Sequence, residues 1–261
     1  MSDEASVIAA VRRSDQVYAA LAARTEALRC ARVYFHPERP LAAECNFVGD
    51  VELAAGEDAL SEVQEFFAPL GSQCFRWTPS GNQTVDELER LLAPHGFERR
   101  DWKAYGLREN TAPREVAELR MAPARAMRRA FTALVSERSR AAGDGAAETV
   151  AAQLDRLNDP QYDAFVGVSG DTAIGFAALL QVGPIGRVCD VFVSESRRRK
   201  GVGAALLAYV VRTAGRWALN PLCARVRADD AGAGAFLRAG GWEACGTIPS
   251  LALPGAVEAG G

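Results

Sequence analysis

The stretch Val188-Cys189-Asp190-Val191-Phe192-Val193-Ser194-Glu195-Ser196-Arg197-Arg198-Arg199-Lys200-Gly201-Val202-Gly203 decides how this chain is read. Val188 to Val193 is an apolar, β-branched run interrupted by one aspartate, the composition of a buried strand. Beyond the glycines, Leu206, Leu207, Val210, Val211, Ala214 and Ala218 form one apolar stripe, which predicts a helix over residues 201–219. Strand, basic turn, glycines and helix in that order suit a phosphate. A helix N-terminus leaves backbone N–H groups unpaired and carries partial positive charge. Glycines let that backbone approach an anion, and the basic side chains add Coulombic attraction. Two other phosphate motifs fit worse. A P-loop needs Gly-Lys followed by Ser or Thr, whereas Lys200 precedes Gly201 and Val202 follows it. A dinucleotide fingerprint needs glycine where Leu206 stands.

Working outward, strands are predicted at 164–168 and 173–180, joined through Gly170-Asp171, with a strand at 222–226 and a short helix at 231–239 after the glycine motif. Upstream, residues 116–121 alternate like a strand, 123–140 and 146–157 read as helices, and 141–145 as a loop. The polar stretch 108–113, ending in Pro113, marks a boundary between an N-terminal unit, 1–112, and a C-terminal unit, 113–261. In the first unit helices are predicted over 3–28, 57–67 and 85–92. Strands are predicted around 31–35, 42–47 and 74–77, and from Gly96-Phe97 through Leu107. Strand, helix, glycine and aromatic recur in both units, ending at Phe97 and at Trp242, 145 residues apart. That recurrence predicts two lobes of similar design.

Composition narrows the function. The chain has 261 residues, 49% hydrophobic and 24% charged, with a net charge of −3, so it lacks the basic surplus of a broad nucleic-acid footprint. Lys103 and Lys200 are the only lysines. Cys30, Cys45, Cys74, Cys189, Cys223 and Cys245 make no CxxC pair and have no histidine at ligand spacing, which predicts buried thiols and no metal. His36 and His95 read as structural or exposed. No leader and no apolar run of about 18–20 residues is found, so no membrane role is expected and the cytoplasm is the expected location.

The order Asp190-Val191-Phe192-Val193, then Arg198-x-x-Gly201-x-Gly203, then Asp230-x-x-Ala233-x-x-Phe236-Leu237-x-x-x-Gly241-Trp242 resembles the GNAT acyltransferase superfamily over about the last 145 residues. The first half, through Phe75-Arg76-Trp77-Thr78-Pro79, Asp86-Glu87-Leu88, Leu91 and His95-Gly96-Phe97, resembles the degenerate first lobe of tandem GNAT proteins and has no Arg-x-x-Gly-x-Gly. The resemblance implies an α/β (α+β) fold: a mixed, mostly antiparallel sheet flanked by helices, in two tandem lobes, with only the second binding the cofactor. It also implies acetyl-CoA, or another acyl-CoA, held by Phe192, Val193, Arg198, Arg199, Lys200, Gly201, Val202, Gly203 and Ala204, with Asp230 and Phe236 nearby. The amine of a small molecule would be the acceptor.

In this family a backbone N–H near Val193 would polarise the acyl carbonyl, and transfer would be direct, a matter of positioning. A lysine-type amine has a pKa of about 10.4 and must lose a proton before it attacks. Asp190 is the first candidate base and Glu195 the second. Many family members carry a tyrosine where Leu237 stands, and leucine donates no proton. Asp230 replaces the commoner asparagine, and helix capping accounts for it as well as function does. Arg125, Arg128 and Arg129, in the region that forms the family's acceptor site, either contact an acidic substrate or a larger polyanion or form a solvated face. Two other readings stand beside N-acetyl transfer: a different donor, a longer acyl-CoA or an aminoacyl-tRNA, and a catalytically silent acyl-CoA-binding protein. Net charge argues against tRNA. A monomer or a homodimer is expected, since two fused lobes can replace a dimer.

Overall fold

The computed structural model of the chain describes residues 3–53, 58–81, 85–108, 116, 118–141 and 147–254. In chain order the elements are α1 (Glu4–Ala20), β1 (Arg24–Ala27), β2 (Arg32–Phe35), β3 (Phe47–Val51), α2 (Ala59–Phe67), β4 (Arg76–Pro79), α3 (Val85–Leu92) and β5 (Glu98–Leu107). There follow β6 (Leu119–Pro123), α4 (Arg128–Ala141), α5 (Ala147–Arg156), β7 (Tyr162–Ser169), β8 (Thr172–Val182), β9 (Ile185–Val193), α6 (Val202–Arg216), β10 (Leu222–Arg227), α7 (Ala231–Ala239) and β11 (Trp242–Ala252).

Among the described residues all the strands join one sheet in the order β1-β2-β3-β4-β11-β5-β10-β9-β8-β7-β6. Neighbours run antiparallel except β3 with β4 and β9 with β10. This is the mixed, mostly antiparallel sheet that the resemblance implies. Three large apolar cores cover it. α1, α4 and α5 pack on one face through Val11, Tyr18, Phe131 and Leu134 against Phe176 and Leu180. α6 and α7 pack on the other through Leu206, Val210 and Leu237. α2 and α3 close the N-terminal half over Val63, Phe67, Trp77 and Leu88.

The two glycine–aromatic pairs share one backbone form. α3 is followed by Gly96 at φ 85° and Phe97, and α7 by Gly241 at φ 84° and Trp242. Both turns need the left-handed backbone that glycine adopts without strain. The strands that follow are exchanged between halves. β5, from the first half, pairs with β10 of the second along Trp102–Gly106. β11, from the second half, pairs with β5 and, through Leu251 and Ala252, with β4 of the first. α1 likewise leaves its own half and lies across the C-terminal sheet.

Several predicted boundaries move. The helix expected over 3–28 ends at Ala20, and Arg24–Ala27 is an exposed edge strand held by backbone pairing with β2. Its pattern carries no burial signal, so the periodicity of α1 runs on past the true end. Residues 124–127 form turns rather than the first turn of α4, because Pro123 closes β6. The expected boundary at 109–113, the loop at 142–145 and the first residue of the helix at 57 lie outside the described residues.

Gly175 on β8 is a close-packed point. A Cβ there would run into the Phe192 carbonyl oxygen and come within 3.1 Å of Leu206 and 3.2 Å of the Val193 Cα. Gly175→Ala is expected to cost about 1–3 kcal/mol, read as a lower urea midpoint at unchanged slope.

Candidate functional site

β9 and β10 pair from Gly186 with Leu222 to Val188 with Ala224, and then part. β9 runs on to Val193 against β8 alone, so a wedge opens between its end and Arg225–Arg227. Successive N–H groups along a strand point to opposite edges. The Ser194 N–H donates to Ile174 on the β8 side at 3.0 Å. The Val193 N–H therefore faces the wedge, where it can donate to an oxygen bound between the strands.

After β9 the chain makes a 3-10 turn, Glu195–Arg197, and reaches α6 through Arg199 at φ 61° and Gly201 at φ 82°. Gly201 caps α6 with no side chain bonded to the first turn. The first N–H groups of the helix are thus available to an anion. Arg198 Nε donates to the Val193 carbonyl at 3.1 Å, and Lys200 Nζ to the Ser196 carbonyl at 3.0 Å. These bonds fold the basic heads over the loop and hold its shape. A Cβ on Gly203 would lie 3.4 Å from Phe236 and 3.6 Å from Val193, so the bare backbone of Gly203 borders both. Ala204 is exposed, and Val202 is buried and lends only its backbone. Phe192 is also buried, in the core under α1 and α4, with the Arg198 guanidinium 6.0 Å from its ring centre. Asp230 accepts from the Ala233 N–H at 2.8 Å and caps α7. Wedge, loop and uncapped helix start together fit a thioester arm ending in a pyrophosphate.

The acidic candidates differ sharply. Asp190 is 2% exposed. Arg138 of α4 pairs with one of its oxygens, and the other accepts from Gln153 at 3.0 Å and Tyr162 at 3.1 Å, with the Tyr18 hydroxyl at 3.4 Å. Burial opposes the Arg138 charge, but Asp190 outweighs it and holds the guanidinium above its ordinary range. Burial, then Asp190, pushes the Tyr162 phenol well up. A carboxylate enclosed by a cation and hydrogen-bond donors on both oxygens is held in place. Glu195 is exposed on the turn, and its N–H donates to Glu137 Oε1 at 3.3 Å. Glu137, on α4 and half-buried, also accepts from Ser194 Oγ at 2.8 Å. It stands at the end of β9 beside the wedge. Sequence reading passes over it, since the only signal is a single Glu in a charged helix.

Leu237 is buried in the α6–α7 core. A hydroxyl does reach α7, from the other half: Tyr105 on β5 accepts from Arg238 at 3.2 Å and would lie 2.8 Å from a Cβ on Gly234. Arg125 spends its guanidinium on the carbonyls of Leu157, Asp159 and Tyr162 and on Asp163, and Arg128 bonds Asn158. Arg125 thereby fastens β6 to the turn before β7. All six cysteines are buried, and burial raises the Cys189 thiol to about 12, too high for a nucleophile at neutral pH. Among the described residues no group of His, Cys, Asp and Glu gathers to hold a metal, and no helix is long and apolar enough to cross a membrane.

Residues 128–241 match the Acetyltransferase (GNAT) family. No curated protein sequence matches the chain. Among solved structures, a GCN5-related N-acetyltransferase from Kribbella flavida superposes with a TM-score of 0.67 at 20% identity, over 95% of this chain and 96% of that one. A functionally unknown conserved protein from Staphylococcus epidermidis gives 0.67 at 17%, over 88% and 93%. A tandem GNAT protein from the clavulanic acid biosynthesis pathway gives 0.51 at 14%, over 78% and 73%. At these identities the likeness is one of fold.

Proposed function

We propose that this chain, which matches the Acetyltransferase (GNAT) family over residues 128–241, is an acyltransferase that moves an acetyl group from acetyl-CoA directly to the amine of a small molecule. The observation that carries the reading is the wedge between β9 and β10 opening onto the uncapped start of α6. Acyl-CoA supplies the activated thioester. The α6 N-terminus and the loop Arg198–Gly203 would hold its pyrophosphate, and the space between Val193, Gly203 and Phe236 would take the arm. The Val193 N–H would polarise the acyl carbonyl. Glu137 and Glu195 border the end of β9, where a proton leaving the amine must go, while Asp190 anchors Arg138 and the tyrosines beneath it. Leu237 leaves the sulfur without the family's usual donor. The first half, without a glycine motif, would add β5 and α1 rather than a second cofactor site.

The test is calorimetric titration with CoA and acetyl-CoA, on the protein and on Gly203→Val. One acetyl-CoA per chain in the micromolar range is expected. The branched side chain, wedged against Phe236 and Val193, should weaken it by about tenfold or more, or about 1.4 kcal/mol, with the fold retained. Equal affinity in a folded Gly203→Val protein would refute the site.

A further inference from the structure

The seam between the two halves of the sheet carries a feature that acyl transfer does not use. β4 and β11 pair only at Trp77 with Leu251 and Arg76 with Ala252, then diverge beneath α1. A cavity of about 290 Å³ lies there. Its walls hold Arg12 and Asp15 from α1, Asp50 and Arg76 from β3 and β4, and Arg225 from β10, so both signs of charge face one small space. Two of the guanidiniums are nearly buried and stacked on rings: Arg76 lies 3.9 Å over Phe47 and Arg225 4.1 Å over Trp102. Asp15 bridges Arg225 and Arg187. Asp50 accepts from Gln16 at 2.6 Å and lies 3.8 Å from the half-exposed Arg32 guanidinium, and its backbone sits at φ 53°, a region a non-glycine residue enters at some cost. The break in the β3–β4 register falls at this same point, between Val48 and Val51.

We propose that this cavity is a second small-molecule site and that it binds a free α-amino acid. Size comes first: about 300 Å³ is the lower end of the range for ligand pockets and suits a small molecule rather than a second CoA. Charge comes next. Three guanidiniums and two carboxylates favour a ligand that brings one charge of each sign. A bare anion would face Asp15 and Asp50, and an amine alone would face the arginines; either would be desolvated against like charge. The ligand carboxylate lies toward the Arg76 fork, beside Arg12, which is held in place by Nη1 bonds to the Pro79 and Ser80 carbonyls and adds charge, and the ammonium lies toward Asp50. Phe47 and Ile248 line the remainder and receive a side chain.

The full chain, titrated by calorimetry with each protein amino acid at millimolar concentration and without acetyl-CoA, tests this. Saturable binding of at least one amino acid is expected, with its deaminated acid and its decarboxylated amine each weaker by about tenfold or more. Asp50→Asn keeps a side chain that tolerates the left-handed backbone and accepts from Gln16. It should melt within a few degrees of the parent and lose about tenfold in affinity. Gly203→Val should bind the amino acid as the parent does, which separates this site from the acyl-CoA cleft. Absence of binding by any amino acid, affinity unchanged in Asp50→Asn, or binding that requires acetyl-CoA would each overturn the proposal.

Discussion

Glu44→Ala is expected to destabilise the protein by about 3–5 kcal/mol, the range for removing one partner of a buried ion pair. Glu44 lies in the connection between β2 and β3, and Arg156 ends α5 in the other half; both side chains are under 5% exposed, 2.7 Å apart. Arg156 also donates to the Tyr18 carbonyl at 3.2 Å and to Gln153 Oε1 at 3.1 Å, and lies 4.1 Å over the Tyr18 ring. Burial works against its charge, but Glu44 and the surrounding groups keep it protonated throughout the working range. Removing Glu44 strands a full cation in the interior. A loss of that size is a large share of the roughly 5–15 kcal/mol that a folded protein has in total. Asp155→Ala breaks the pair with Arg39, where the aspartate side chain is 40% exposed, and should cost about 1 kcal/mol or less. The double replacement Glu44→Leu with Arg156→Met should recover much of the loss, because it removes both charges. Urea melts of all three measure this. Equal effects for Glu44→Ala and Asp155→Ala would mean that the pair between the halves carries no special weight.

That pair also shows where sequence reading stops. Strand, basic loop and helix from Val188 to Arg216 are legible because apolar periodicity and a glycine-led helix start are local properties of the chain. The two helix ends are legible for the same reason: Gly96-Phe97 and Gly241-Trp242 follow helices in left-handed turns that glycine enters freely. The exchange of β5 and β11 between halves leaves no such trace, since a strand has the same alternation whichever neighbour it pairs with. Everything depending on that exchange is therefore invisible in one dimension. Tyr105 reaches α7, α1 brings Asp15 to Arg225 and Tyr18 to Asp190, and Glu44 meets Arg156, each across more than a hundred residues of chain. Asp190 illustrates the limit best. Its place on the strand before the loop is readable; its enclosure by Arg138, Tyr18, Gln153 and Tyr162 is set by three helices and a strand that the local sequence does not specify.

The same enclosure leads to a kinetic expectation. An attacking amine with pKa about 10.4 is almost wholly protonated at neutral pH, so a carboxylate that accepts its proton speeds transfer by about 10²–10⁴-fold. Glu137 stands half-buried at the end of β9, held by Ser194 Oγ and the Glu195 N–H. We expect Glu137→Gln to lower kcat/KM at pH 7 by about 100-fold. The deficit should shrink as pH rises toward 10, because the free amine then needs no acceptor. Asp190→Asn should behave differently. Asparagine leaves the Arg138 charge uncompensated, so the main effect should be a lower urea midpoint, with kcat/KM in the folded enzyme within about threefold of the parent and the pH profile unshifted. Release of the CoA thiol across a panel of primary amines, at pH 6 to 10, measures both. A pH-dependent loss of about 100-fold in Asp190→Asn, with Glu137→Gln near the parent, would make Asp190 the proton acceptor. The ring of donors around it would then have to open when the amine binds.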